Sequence, residues 1–209
     1  MAIVDIIGFR HGETDGNLAN IMQGCSINND LNKTGHEQAA TLAIDIAALV
    51  ASYDGIYMIT SDLLRARNTG KIIFKHLPTD KVRGFSEDIG LRERNYGSFE
   101  GQDKYLVRET DGSRRYWSIK TVQERLQIKI ATDVETDHAL LTRVKAAINN
   151  IILARKAVPG KEVLLVSSHG NTLRTLLTAI FNDVDYPPLN NCGYVKFSIE
   201  QWDQMIFTE

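Results

Sequence analysis

Short apolar runs and longer amphipathic stretches follow one another along the chain. The short runs are typical of buried strands, and they lie at residues 3–9, 55–60, 82–85 and 161–168. The longer stretches carry apolar residues at helical spacing, and they lie at residues 35–52, 62–75, 137–156 and from about Leu173 onward. This alternation predicts an α/β protein, a three-layer α/β/α sandwich with a mostly parallel central sheet.

Two stretches depart from the alternation. Residues 103–130 are charged and aromatic without strand periodicity, so we predict a helical insertion or lid at about 102–135. The apolar residues at 194–199 and 205–207 predict two short final strands that form a hairpin. Because neither an internal repeat nor a low-complexity tract is visible, residues 1–209 are expected to form one domain.

The composition is that of a globular protein without a bulk positive charge. Hydrophobic residues make up 43% of the 209 residues, and the formal net charge is -2. We therefore expect neither nucleic acid nor a membrane as a partner, and an anionic ligand would have to be bound by locally placed cations. The beginning of the chain lacks the segments of a signal peptide, so a cytoplasmic location is expected. The oligomeric state stays open, with a homodimer as one option.

Two of the predicted strands end in the same dipeptide, His-Gly. His11 follows the first strand directly after Arg10, and His169 follows the strand at 161–168. Ligands of α/β sheets bind at the carboxyl ends of strands, arginine matches phosphate oxygens, and glycine permits close backbone approach. One such step could be an ordinary solvated strand end, but two favour a site where a phosphate meets a nucleophilic imidazole. Asn171 or Thr172 is the predicted cap of the helix that follows.

These dipeptides belong to a set of motifs that resembles the histidine phosphatase superfamily, which contains cofactor-dependent phosphoglycerate mutases and fructose-2,6-bisphosphatases. The signature Arg-His-Gly-Glu-Thr-x-x-Asn begins at Arg10 and ends at Asn17. The further matching blocks, in the family's order, are Gln23-Gly24, residues 30–35 without the usual proline, and residues 61–69, 91–97, 99–101 and 168–174. No motif in the stretch from 102 to 160 can be aligned with the family.

The resemblance implies a role for each matched residue. His11 would be the nucleophile and form a phosphohistidine, and Glu93 would be the proton donor. The other catalytic residues implied are Arg10, Arg65 and His169, with His169 acting as a cation or hydrogen-bond donor. The substrate-binding residues implied are Asn17, Gln23, Gly24, Gly170 and Asn171.

Two of these residues have ordinary alternatives when the sequence alone is considered. Glu93 could be a surface carboxylate paired with Arg92 or Arg94, and Asn17 could be a helix cap or turn residue. Arg174 lies one helical turn past the second histidine, and a structural role is expected for it.

The activity that the resemblance favours is hydrolysis of small-molecule phosphate monoesters. The Gln23-Gly24 step, residues 99–101 and the modest length are closer to phosphatases of the superfamily. The alternative is a cofactor-dependent phosphoglycerate mutase, because residues 93–97 are mutase-like. Mutases place a substrate clamp, which binds the carboxylate and phosphate of the substrate, near the positions of Arg94, Tyr96, Lys104 and the Arg114-Arg115 pair. A non-catalytic phosphate-binding protein is a third option.

The expected partner is a small phosphorylated metabolite. We expect no metal, because the sequence has no ligand spacing such as His-Glu-x-x-His or Cys-x-x-Cys. No cofactor is expected either, except priming by 2,3-bisphosphoglycerate if the protein is a mutase.

Overall fold

A computed structural model describes residues 2–207 of the chain. The strands are β1 (Ile3–Arg10), β2 (Gly55–Thr60), β3 (Val82–Glu87), β4 (Glu162–Ser168) and β5 (Tyr194–Ser198). The helices are α1 (Asp15–Leu18), α2 (Lys33–Leu49), α3 (Leu64–Phe74), α4 (Lys104–Arg108), α5 (Asp111–Ser118), α6 (Val122–Gln127), α7 (Asp137–Ala154), α8 (Gly170–Phe181) and α9 (Ile199–Asp203). Two 3-10 turns lie at Ile89–Leu91 and Gly97–Phe99.

The strands form one sheet in the order β3-β2-β4-β1-β5, in which β5 alone is antiparallel to its neighbour. The predicted α/β fold with a mostly parallel sheet is therefore confirmed. Arg10 of β1 pairs with Ser168 of β4, so the two strands end at the same level. The histidines that follow them leave the sheet side by side.

Alternate residues of the central strands enter two different cores, one on each face of the sheet. Ile6 and Leu164 pack beneath α7, α8 and α9, whereas their neighbours Ile7 and Leu165 pack beneath α2 and α3. Such continuous apolar runs are expected of parallel strands that are covered on both faces. The sheet is thereby a rigid support for the loops at its carboxyl edge.

The predicted C-terminal hairpin is wrong. Tyr194–Ser198 is a strand, but it pairs with β1, and residues 205–207 are not a strand. The chain turns at Ser198 into α9, because the Ser198 hydroxyl accepts from the Gln201 N–H while the Gln201 side chain accepts from the Ser198 N–H. This capping box starts a helix, and Met205 is buried in the core beyond it.

The insertion at 102–135 contains α4, α5 and α6, as the sequence predicts, and it is tied to the body of the protein. Tyr116 of α5 is buried and donates its hydroxyl to Asp137 at the start of α7, 2.7 Å from Oδ2. Arg94 also donates to Asp137, and to Thr175 Oγ1 of α8 at 2.9 Å. The buried Asp137 carboxylate thus has both a charged partner, Arg94, and a hydroxyl donor, Tyr116, so its charge is not left uncompensated.

Candidate active site

His11 is held in one tautomer by the backbone beside it. Its Nδ1 lies 2.7 Å from the carbonyl oxygen of Gly12, and since a carbonyl can only accept, Nδ1 carries the proton. The other ring nitrogen, Nε2, is then left with a free lone pair. Burial, with Arg65 and Arg10 nearby, lowers the pKa of His11 well below its usual value. A neutral imidazole in this tautomer is a nucleophile without further activation.

Two guanidinium groups beside His11 are held by backbone carbonyls and not by carboxylates. Arg10 donates from Nη1 to Leu189 at 2.8 Å, while Arg65 donates to Ile27 at 2.7 Å and to Gly24 at 2.8 Å. The Nε atom of each arginine is buried and has no partner. Burial lowers the pKa of Arg65 to about 10, so it stays positive at neutral pH. Fixed cations with spare donors suit an oxyanion.

His169 lies edge-on to His11, with 5.3 Å between the ring centroids. Its Nε2 is 2.9 Å from the Ser61 hydroxyl, and its buried Nδ1 has no partner. Burial, followed by the charge of Arg65, lowers the pKa of His169 well below its usual value. Of the two states expected from the sequence, the cation is therefore disfavoured when the site holds no anion, and a neutral hydrogen-bond donor fits.

Glu93 caps the helix that follows His169. Its Oε2 accepts from the Asn171 N–H at 3.0 Å, and its Oε1 accepts from the Thr172 N–H at 2.9 Å. The helix begins at Gly170, with His169 as its N-cap and without a side-chain cap of its own. The predicted cap at Asn171 or Thr172 was therefore wrong, because a carboxylate from a distant loop occupies that place. The positive end of the helix fixes the carboxylate at the cavity wall.

Neither arginine adjacent to Glu93 in sequence pairs with it. Arg92 forms a bidentate pair with Asp62, with the Nε to Oδ1 distance at 2.8 Å. Arg94 is buried against Asp137. The alternative of a surface ion pair for Glu93 is thereby removed.

The segment after β1 positions two further predicted residues, Asn17 and Gln23, at the cavity. Asn17 Oδ1 accepts from the Thr14 N–H at 3.2 Å and from Asn191 at 3.3 Å, and Gln23 accepts from the Thr14 hydroxyl at 3.1 Å. Asn17 is thus both a capping residue and part of the cavity wall. Its carbonyl is occupied within the protein, so its amide nitrogen is the atom left for a ligand.

Gly24 has a backbone that other residues rarely adopt, with φ at 57°. A Cβ there would also collide with the carboxylate of Glu100. That carboxylate accepts from the Cys25, Ser26 and Tyr96 N–H groups at 2.9 to 3.0 Å. Glu100 therefore joins the loop that carries Gly24 to the loop that follows Glu93.

These residues surround a cavity of about 180 Å³. Most of the residues that the sequence predicted for the site line it, namely Arg10, His11, Asn17, Gln23, Gly24, Arg65, Glu93, Gly170 and Asn171. His169 lies behind this wall and is fully buried. The fold thus brings these residues, which are distant in the sequence, to one cavity.

The remaining cationic positions are not arranged as the sequence suggested. Arg174, expected to be structural, lines the cavity together with Arg108, which the sequence reasoning did not consider. Each could have been found from helical spacing, because Arg174 is four residues after Gly170 and Arg108 is four residues after Lys104. Of the suggested mutase clamp, Tyr96 and Lys104 line the cavity. Arg94 is buried against Asp137, Arg114 pairs with Glu109, and Arg115 is exposed.

Residues 2–207 contain neither a candidate metal cluster nor a helix that could span a membrane. They contain no cluster of three or more His, Cys, Asp or Glu side chains placed to bind a metal ion. None of the helices described in this range has the length and apolar character that crossing a bilayer requires.

Comparison with known proteins places this geometry in a family. The model of the histidine phosphatase superfamily (branch 1) matches residues 6–206. An uncharacterized phosphatase of Bacillus subtilis, PhoE, is 31% identical over 200 residues, which cover 92% of this chain and 88% of that protein. A 2,3-bisphosphoglycerate-dependent phosphoglycerate mutase of Rhizobium rhizogenes is 32% identical over 177 residues, covering 82% and 76%.

The fold is also found among solved structures. A mycobacterial glucosyl-3-phosphoglycerate phosphatase superposes with a TM-score of 0.73 at 19% identity, covering 92% of this chain and 90% of that one. At this identity the likeness concerns the fold alone.

Proposed function

We propose that this chain, which belongs to the histidine phosphatase superfamily (branch 1), hydrolyses small phosphate monoesters through a phosphohistidine on His11. The observation that carries the proposal is the fixed state of His11. Its Nδ1 proton is held by the Gly12 carbonyl and its pKa is lowered by burial and two arginines, so Nε2 is a free nucleophile at neutral pH.

The first step transfers the phosphoryl group from the ester oxygen to His11 Nε2. Arg10 and Arg65 hold the phosphoryl oxygens and offset the charge that spreads over them in the transition state. The N–P bond forms as the O–P bond breaks, and Glu93, held at the cavity wall, delivers a proton to the departing alcohol. His169, which lies beside His11, donates a hydrogen bond to a phosphoryl oxygen.

The second step returns the enzyme to its starting state. Glu93, now a carboxylate, takes a proton from a water molecule that attacks phosphorus, and the N–P bond breaks. Inorganic phosphate leaves. The proton that Glu93 has taken from water replaces the proton that it gave to the alcohol. The arginines supply the positive charge that a metal ion supplies elsewhere, so we propose that the reaction needs no metal.

A rapid-quench experiment tests the proposal. Radiolabelled phosphate monoester, mixed with the enzyme in excess chelator, should leave label on the protein that is lost in acid and kept in base. His11→Ala should carry no label, because only the imidazole can be the acceptor. His36→Gln, which changes an exposed histidine, is the matched control and should be labelled like the native enzyme.

Label that persists in His11→Ala would contradict the assignment. Loss of native labelling in chelator, restored by a divalent cation, would contradict the metal-free mechanism. If native protein binds the ester but is neither labelled nor releases phosphate, it is a phosphate-binding protein and not a phosphatase.

A phosphoglycerate mutase is the second candidate. It is supported by Lys104 in the cavity wall and by mutases among the relatives. The two reactions differ in the acceptor, which is water for the phosphatase and a bound hydroxyl for the mutase. Interconversion of 3- and 2-phosphoglycerate that is much faster than phosphate release, and that requires 2,3-bisphosphoglycerate, would favour the mutase.

A further inference from the structure

Ser61 is the first residue after β2, and the sheet places it beside His169. β2 runs parallel to β4 with Thr60 opposite Ser167, and the Ser61 N–H donates to the Ser167 carbonyl at 2.9 Å. Because β4 lies between β2 and β1, these three neighbouring strands are followed directly by Ser61, His169 and His11. The mechanism proposed above uses both histidines and gives the serine no role.

The Ser61 hydroxyl is fully buried and takes part in two hydrogen bonds. Its Oγ lies 2.9 Å from His169 Nε2, and it accepts from the Leu63 N–H at 3.3 Å. Within residues 2–207, this hydroxyl has no third partner. Since a serine hydroxyl has one proton to donate, the direction of the bond to His169 decides whether that proton is satisfied.

The pKa of His169 is lowered well below its usual value by burial, so the ring carries one proton at neutral pH, and two arrangements are possible. If Ser61 donates to Nε2, the ring proton is on Nδ1, and this N–H alone is left without a partner. If Nε2 carries the proton and donates to Ser61, both the hydroxyl proton and the Nδ1 lone pair are left unsatisfied. Because each buried polar group without a partner costs free energy, the first arrangement is favoured.

The first arrangement also provides what a phosphoryl group needs at this place. The ring of His169 is 5.3 Å from the ring of His11, centroid to centroid, and the next residue, Gly170, lines the cavity. With Nε2 engaged by Ser61, Nδ1 is the ring nitrogen left for a ligand. As an N–H it donates to an oxyanion, whereas as a lone pair it would repel one.

We propose that Ser61 is a positioning residue, whose hydroxyl donates to His169 Nε2 and thereby keeps the ring proton on Nδ1, the atom that donates to the transferred phosphoryl group. The bond to the phosphoryl group rests on the function proposed above, whereas the position of the proton does not. Which ring nitrogen is protonated is set by the partner of the other one.

The two histidines then share one tautomer and do opposite work. In His11, the Gly12 carbonyl takes the Nδ1 proton and leaves Nε2 as a nucleophile. In His169, the Ser61 hydroxyl occupies Nε2 and leaves Nδ1–H as a donor. An acceptor beside one ring and a donor beside the other thus separate their roles.

Nuclear magnetic resonance of the native protein tests the tautomer directly. Protein with 15N-labelled histidine is measured at neutral pH without phosphate, and long-range 1H–15N correlations distinguish a protonated ring nitrogen from a bare one. The His169 signals are those that vanish in His169→Gln. We expect the proton on Nδ1, and a proton on Nε2 of the native protein would overturn the proposal.

Inorganic phosphate added to the same sample tests the donor. The Nδ1–H proton signal should move to lower field, because the N–H then donates to an anion, while Nε2 stays without a proton. An Nδ1–H signal that is unchanged at every phosphate concentration would overturn the proposal. So would a proton that appears on Nε2, because Ser61 would then accept from His169.

Removing the hydroxyl should release the ring proton. In Ser61→Ala, the proton should be shared between the two nitrogens of His169, and kcat for p-nitrophenyl phosphate should fall about tenfold, as expected for one charge-assisted hydrogen bond. Ser168→Ala is the matched control, because it also removes a buried hydroxyl next to His169, one that donates to the Leu91 carbonyl at 2.8 Å. It should keep the proton on Nδ1.

A proton that stays on Nδ1 in Ser61→Ala would overturn the proposal, and so would an equal change of tautomer in the two variants. These outcomes are separate from those of the function on which the proposal rests. Native enzyme that releases no phosphate from p-nitrophenyl phosphate would contradict the phosphatase, whereas the spectra would still decide the role of Ser61. Hydrolysis of that ester with the proton on Nε2 would remove that role and leave the phosphatase standing.

Discussion

Glu93 lies between two arginines in the sequence, and both are engaged elsewhere in the fold. Arg92 is paired with Asp62, and Arg94 is enclosed with Asp137. The carboxylate is instead held by the first N–H groups of α8, in the wall of the cavity that also contains His11. Its location therefore follows from tertiary pairing that no local pattern reveals.

Replacing this carboxyl group should separate proton transfer from binding. Glu93→Gln keeps the size of the side chain but cannot deliver a proton, so kcat for an alkyl phosphate should fall by about a hundredfold or more. The loss should be much smaller for p-nitrophenyl phosphate, because a nitrophenolate needs little protonation to leave. Steady-state kinetics on both esters measure the difference.

The control for this experiment is the stability of the same variant. The glutamine amide cannot accept from both helix N–H groups, so its thermal unfolding should be recorded beside the kinetics. Equal losses on the two esters would mean that Glu93 only shapes the cavity.

At the site, the sequence locates those residues that stand at the end of a predicted strand. Arg10, His11 and His169 follow apolar runs that can only be central strands, and parallel strands end at a common edge. Arg108 and Arg174 share a helix face with Lys104 and Gly170, but that these faces meet at the cavity depends on how the insertion packs over α8. The same packing accounts for Arg94, whose partners Asp137 and Thr175 come from later helices.

At the scale of elements, periodicity finds those that pack against the sheet and fails at the C terminus. The predicted strands at 3–9, 55–60, 82–85 and 161–168 are all present. A short apolar run bounded by polar turn residues is typical of a buried strand. Residues 205–207 are apolar too, but a run of three residues is equally consistent with a chain that fills a core without pairing. The capping box at Ser198 was the signal for a helix there.

The contact between α5 and α7 should control how firmly the insertion is attached. Tyr116→Phe removes the hydroxyl that donates to Asp137 and leaves a buried carboxylate with fewer partners, so the free energy of unfolding should fall by about 1 to 3 kcal/mol. Urea denaturation measures the loss, and hydrogen exchange should speed up first in α5.

Tyr105→Phe is the matched control, because Tyr105 is in the same insertion with a side chain that is 68% exposed. It should change stability by less than about 0.5 kcal/mol. Equal effects of the two substitutions would mean that the hydroxyl of Tyr116 does not hold the insertion in place.

At the scale of the whole molecule, the two buried histidines tie stability to pH. Their pKa values are lowered in the folded protein, whereas the unfolded chain takes up protons near pH 6.5. Below that pH the unfolded state binds more protons than the native state, so the free energy of unfolding should fall. Each histidine should account for up to about 1.4 kcal/mol between pH 7.5 and pH 5.5.

Denaturant titrations at both pH values, without phosphate in the buffer, measure this loss. His169→Gln should show a smaller loss on acidification than the native protein, because one of the two groups no longer titrates. His36→Gln, at an exposed position, should keep the native loss. An unchanged loss in His169→Gln would indicate that its imidazole is charged in the folded state.

The place of β1 in the sheet also bears on how the protein is made. β1 lies between β4 and β5, two strands that the ribosome adds long after it. Until they emerge, the strand that carries Arg10 and His11 has neither neighbour, and the carbonyl of Leu189 and the amide of Asn191 are not yet there to hold those residues. Domains fold as units during synthesis, so a nascent chain that stops before Leu189 lacks the contacts that hold Arg10 and His11 in place. Translation must reach the end of the sheet before the nucleophile that we propose at its first strand is held ready to react.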